Sequence, residues 1–120
     1  MSIPNEALQK LLQEIETRVI TSQQQIGITK AQMSTKQRDI RMLELTSKEI
    51  GVLPGDTKVY EGVGRMFVAV PRATVDKRIS TESAELKSEI ENLEKRMNYL
   101  EMTFKNSREN LEQILKSGRA

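Results

Sequence analysis

Glu82, Glu85 and Glu89 recur at three- and four-residue intervals, a spacing that puts three carboxylates along one face of a helix. Carboxylates so placed are what acid–base chemistry or a divalent cation would use. The rest of the chain withholds the partners of such a site. Its 120 residues contain no histidine and no cysteine. That removes the usual general base, the commonest metal ligand and any disulfide framework or thiolate site. No pocket-forming pattern surrounds the three glutamates, so they read as a solvated helical face. Gly62-Val63-Gly64 has the look of a phosphate-loop fragment. It lacks the following Gly-Lys-Ser/Thr and does not lead from a strand into a helix, so a turn is the better reading. Lys36, Arg38 and Arg41 would suit phosphate contacts, but Glu44 and Glu49 follow closely and no aromatic is interleaved. That is not the pattern of a nucleic-acid reader. No catalytic residue, cofactor or metal is therefore expected.

The composition points the same way. Nineteen basic side chains against 17 acidic ones leave a net charge of +2, and the two signs are interspersed. This is a solvated surface without the basic footprint of a nucleic-acid binder. With 37% hydrophobic residues and only Tyr60, Phe67, Tyr99 and Phe104 as aromatics, the chain lacks bulk for a large globular core. It suits paired helices whose core is a narrow seam. Met1 to Glu6 holds no apolar signal-peptide core, and the longest apolar run is Met66 to Val70. Neither a secretion signal nor a membrane span is expected, and a cytoplasmic location is the default.

A seam is indeed written along the chain. Alternating steps of four and three from Leu8 pass through Leu12, Ile15, Val19, Ser22, Ile26, Thr29, Met33, Lys36, Ile40, Leu43, Ser47 and Ile50. Nine of these thirteen positions are apolar, the mark of a coiled coil. The helix is expected over 5–50, with Gly51 as a left-handed cap. A second seam runs through Ile79, Ser83, Leu86, Ile90, Leu93, Met97, Leu100, Phe104, Ser107, Leu111 and Ile114, again with nine apolar positions. That helix is expected over 74–117, with Thr74 as its N-cap and Gly118 ending it. Two seams of similar length joined by a short insert fold most simply into an antiparallel hairpin of helices. Pairing of each helix with another chain is the alternative.

The insert is of another kind. Leu53-Pro54-Gly55-Asp56 is a turn by composition. Val59–Val63 and Met66–Val70 then flank Gly64-Arg65, and glycine in the first central position predicts a two-residue type II′ hairpin. In that register Val63 faces Met66, Glu61 faces Val68 and Val59 faces Val70. On the other side Gly62 lies opposite Phe67, and Tyr60 opposite Ala69. Pro71 closes the second strand. Both faces are mainly apolar and both edges are unpaired, and a lone hairpin of this kind is marginal in water. It reads as a device for joining subunits, carried by Val59, Tyr60, Val63, Met66, Phe67, Val68 and Val70.

The stretch TKVYEGVGRMFVAVP, Thr57 to Pro71, set between two coiled-coil helices, resembles the β-class subunits of prefoldin, a hexameric co-chaperone. Its VYEGVGRMF core, residues 59–67, looks most like the subunit-one type within that class. The motif covers about 15 residues, and the helices match in length and period across nearly the whole chain. One hairpin between the helices is the β-class pattern; the α class has two. The resemblance implies that this chain joins two α-type and three further β-type subunits through a shared β-barrel, from which coiled coils project. Their tips would hold unfolded proteins, chiefly actin and tubulin, and pass them to the cytosolic group II chaperonin, without nucleotide, metal or catalysis. Pro71 and the polar seam residue Lys36 are the departures noted.

Where clients would bind is read from the seams themselves. Pairing Ile50 with Ile79 places Ile26 near Phe104, Val19 near Leu111 and Ile15 near Ile114. The second seam then runs out, while Leu8 and Leu12 still lie ahead on the first. Leu11, Ile20 and Leu115 are apolar and off the seam near the same end. These five are the candidate client-binding residues, since hydrophobic attraction is indifferent to client sequence; frayed helix ends are the plain alternative. Met33 and Met97 fall on the seams, whereas Met42, Leu45 and Met102 lie off them. A structural coiled-coil scaffold or tether is the other class of function open to such a chain, but a tether has no use for the hairpin.

Overall fold

The computed structural model describes residues 5–118. Its elements run α1 (Asn5–Gly51), β1 (Val59–Val63), β2 (Met66–Val70) and α2 (Arg72–Gly118), so the chain is mainly helical with one two-stranded antiparallel hairpin between two long helices. The described residues fall into two compact units. One holds α1 as far as Met33 together with α2 from Asn92. The other is Ser34–Glu91 and contains the hairpin.

In the first unit, Ile15, Ser22 and Thr29 of α1 and Met97 and Leu100 of α2 are buried. Leu8, Leu12, Val19, Ile26 and Met33 are half-buried, as are Leu93, Phe104, Ser107, Leu111 and Ile114. These are the seam positions, and the faces between them are exposed apart from Gln25 and Thr103. Thr29 shows why a polar seam residue is tolerated. Its Oγ1 donates to the Gln25 carbonyl at 2.7 Å, so the hydroxyl enters the core already paired.

In the second unit the seam continues through Lys36, Ile40, Leu43 and Ile50 on α1 and Ile79, Ser83, Leu86 and Ile90 on α2. Ser47 is the seam position left exposed. Lys36 solves the problem of a charged seam residue by pairing its Nζ with Glu89 at 2.6 Å while its stem lies along the core. Glu89, one of the three glutamates on the helical face, is thus an ion-pair partner.

Helix ends differ from expectation in two places. Gly51 is helical, and Gly64 is the one described residue with positive φ. The α1 C-terminus needs no left-handed cap because its carbonyls find donors elsewhere: Leu53 N–H and Arg72 both donate to the Ile50 oxygen. Thr74 is likewise not the N-cap of α2. The helix starts at Arg72, and the Pro71 carbonyl accepts from Thr74 N–H at 3.0 Å and Val75 N–H at 3.3 Å. A proline at the cap loses nothing, since its missing N–H would have no helical partner there. The early start adds Val75 to the seam as one of its most buried residues.

Candidate functional site

The hairpin has the expected register: Val59 faces Val70, Tyr60 faces Ala69, Glu61 faces Val68, Gly62 faces Phe67 and Val63 faces Met66. Gly64 has φ 62° and Arg65 does not share the sign, which is the type II′ pattern. A side chain there would be strained, so this glycine is required by the turn. Gly62 has a different reason for its size. A Cβ at this position would touch the Phe67 ring at 3.7 Å, so the small residue gives the ring its place across the strand pair.

The two faces of the hairpin are not equivalent. Val59, Glu61 and Val70 are half-buried, and the Glu61 carboxylate pairs with the Arg78 guanidinium of α2. This face is turned to the chain's own helix. The other face is open. Phe67 is 77% exposed and Tyr60 56%. Val63, Met66 and Val68, which share the face of Val59, Glu61 and Val70, are exposed as well. Five large apolar side chains on ten strand residues, two on the open face and three on the opposite one, with a free edge on each strand, are thus left uncovered by this chain.

The base of the hairpin is held firmly. Thr57 N–H donates to the Pro54 carbonyl at 3.0 Å, closing the turn before β1. Arg72, the first residue of α2, donates to the carbonyls of Ile50, Leu53 (3.2 Å) and Pro54 (3.3 Å). One guanidinium therefore ties the end of α1 and the turn to the start of α2. Its positive charge also sits at a helix C-terminus, where the dipole favours it. Sequence reading missed Arg72, Arg78 and Val75. The signal was available for two of them, because stepping back from Ile79 by four and three lands on Val75 and Arg72.

The second candidate set lies in the other unit. Leu8 and Leu12 are half-buried, so both are partly covered. Leu11, Ile20 and Leu115 are exposed, as apolar residues off the seam should be. Among the described residues there is no cluster of acidic side chains that could hold a metal ion, and no helix is long and apolar enough to cross a membrane.

Residues 7–118 match the model of the prefoldin subunit family. The chain is 33% identical over 110 residues to the probable prefoldin subunit 1 of Schizosaccharomyces pombe, covering 92% of this chain and 98% of that one. It is 31% identical over 113 residues to prefoldin subunit 1 of Mus musculus, covering 94% and 93%. Among solved structures it is similar to the prefoldin beta subunit from Thermococcus strain KS-1, with 32% identity, a TM-score of 0.44, and coverage of 97% and 91%.

Proposed function

The chain belongs to the prefoldin subunit family, and on that premise we propose that its hairpin joins it to a hexamer that holds unfolded proteins at the helix ends. Prefoldin subunits are non-enzymatic chaperone components that assemble with one another, so a chaperone co-factor role and oligomeric assembly come with membership. The finer reading is that this chain is a β-type subunit working beside two α-type and three further β-type subunits in the cytoplasm. Its clients are unfolded actin and tubulin, delivered to the group II chaperonin.

The observation that carries this reading is the open face of the hairpin. Tyr60 and Phe67 present aromatic area on a strand pair with free edges. Strands from neighbouring subunits would satisfy the edge amides and cover the rings together, and closing a barrel removes the edges altogether. On the opposite face, exposed Val63, Met66 and Val68 and half-buried Val59 and Val70 are the further joining residues. Leu8, Leu11, Leu12, Ile20 and Leu115 supply the aliphatic contacts for clients. Each contact is weak, and several helix ends acting on one client multiply the effect. A tether or scaffold dimer would leave the hairpin without a purpose.

The test is to dilute denatured actin or tubulin into buffer without nucleotide, with the co-expressed assembly present or absent. The assembly is expected to suppress light scattering and then to release the client to the chaperonin. Aggregation that proceeds unchanged would overturn the holding role.

A further inference from the structure

Of the thirteen seam positions of α1, Lys36 alone is charged. A polar residue in a coiled-coil seam costs stability and selects the partner. Lys36 lies in the unit Ser34–Glu91, where its Nζ reaches Glu89 of α2 at 2.6 Å. The short connection and the Arg72 clamp already fix where α2 begins against α1. What the ion pair adds is a choice of helix. The choice has a competitor, because nine of the thirteen positions are apolar and would serve equally against α1 of a second copy. Connectivity favours α2 in dilute solution, but copies held together at any other surface bring their α1 helices to a comparable local concentration.

We propose that Lys36 selects the helix that α1 pairs with, accepting the chain's own α2 through Glu89 and rejecting α1 of a second copy. In a parallel pair of α1 helices each seam residue faces its own copy, so two Lys36 ammonium groups meet in the core. The flanks of such a pair add to the rejection. Residues five apart on either side of the seam meet there, which sets Asp39 against Glu44 as like charges. From Leu11 to Gly51 the other flank pairs, such as Arg18 with Gln23 and Gln25 with Lys30, join no opposite charges. Against α2, by contrast, the ammonium has a carboxylate partner and its stem packs along the seam. The selection concerns pairing of the helices and holds whatever the hairpin joins.

The chain has no cysteine, so one introduced by Ile40→Cys reports the pairing directly. Ile40 is the seam residue after Lys36, and in a parallel α1 pair its two copies face each other within reach of a disulfide. In the chain's own helix pair, α2 offers no cysteine. The full-length chain is treated with a mild oxidant and the linked dimer is measured on a non-reducing gel. Gln24→Cys, exposed and off the seam, gives the level due to collision. With Lys36 in place, linkage at position 40 should not exceed that level. Lys36→Leu and Lys36→Met should each raise it several-fold, and adding Asp39→Lys should raise it further. Lys36→Glu combined with Glu89→Lys keeps a charge in the seam with its partner reversed, and should stay at the original level. No rise with either Leu or Met overturns the proposal. So does a rise in the reversed pair equal to that of Lys36→Leu, or linkage above the collision level while Lys36 is present.

Discussion

The guanidinium of Arg72, at the first turn of α2, donates to the carbonyl oxygen of Ile50, in the last turn of α1. The contact joins residues 22 positions apart with the whole hairpin between them, and it places a fixed cation on the negative end of a helix. Arg72→Ala is expected to destabilise the assembled protein by about 1–2 kcal/mol, the range for partly exposed bonds from a charged donor. Arg72→Lys should recover only part, because an ammonium lacks the planar fork that reaches several carbonyls at once. Thermal unfolding of the complex followed by circular dichroism measures both. An Arg72→Ala transition equal to wild type would show that the clamp is incidental.

A different outcome is expected at Lys36, whose ammonium pairs with Glu89 over the seam. The pair is partly exposed, and such pairs contribute on the order of 0–1 kcal/mol. Lys36→Leu should therefore be neutral or slightly stabilising, since it extends the apolar seam. Lys36→Glu should be clearly destabilising, because it sets a like charge against Glu89. Chemical denaturation of the two variants decides, and a strongly destabilised Lys36→Leu protein would contradict this account of the position.

The seams and the strand register were legible because each is a repeating pattern. Lys36 and Thr29 do not break the first seam, since a lysine stem packs like an aliphatic chain and a threonine hydroxyl bonds to its own helix. The hairpin register followed from Gly64, which admits one turn type with both strands fully paired. Gly51 and Thr74 were misread because both residue types suit caps. What decides each is a group distant in sequence or a backbone carbonyl: Arg72 on Ile50, and Pro71 as the acceptor for Val75. The outward aim of Phe67 and the inward aim of Glu61 toward Arg78 also had no local signal, as the strand pattern is apolar on both faces.

Phe67→Asp is expected to block assembly while leaving the helices formed. The ring is exposed in this chain, so a carboxylate is harmless until a partner covers it. Once covered, an unpaired charge costs several kcal/mol. Size-exclusion chromatography should show loss of the large species, with helical circular dichroism largely retained. Normal uptake of the variant would mean the joining surface lies elsewhere.

For the helix ends, replacing Leu8, Leu11, Leu12 and Leu115 together by serine should leave assembly intact and weaken suppression of client aggregation. The loss should grow when the partner subunits' ends are trimmed as well. A variant complex that holds a denatured client as well as wild type, with the partner ends also trimmed, would place client binding away from these residues.

The most direct measurement is the native mass of the material obtained when this chain is co-expressed with candidate prefoldin subunits. The expected species is a hexamer containing this chain, with two α-type and three further β-type partners. The chain produced alone should be helical but poorly behaved, because its hairpin face is uncovered. A monodisperse, cooperatively unfolding monomer of 13.7 kDa that takes up no partner would contradict the assembly role of the hairpin.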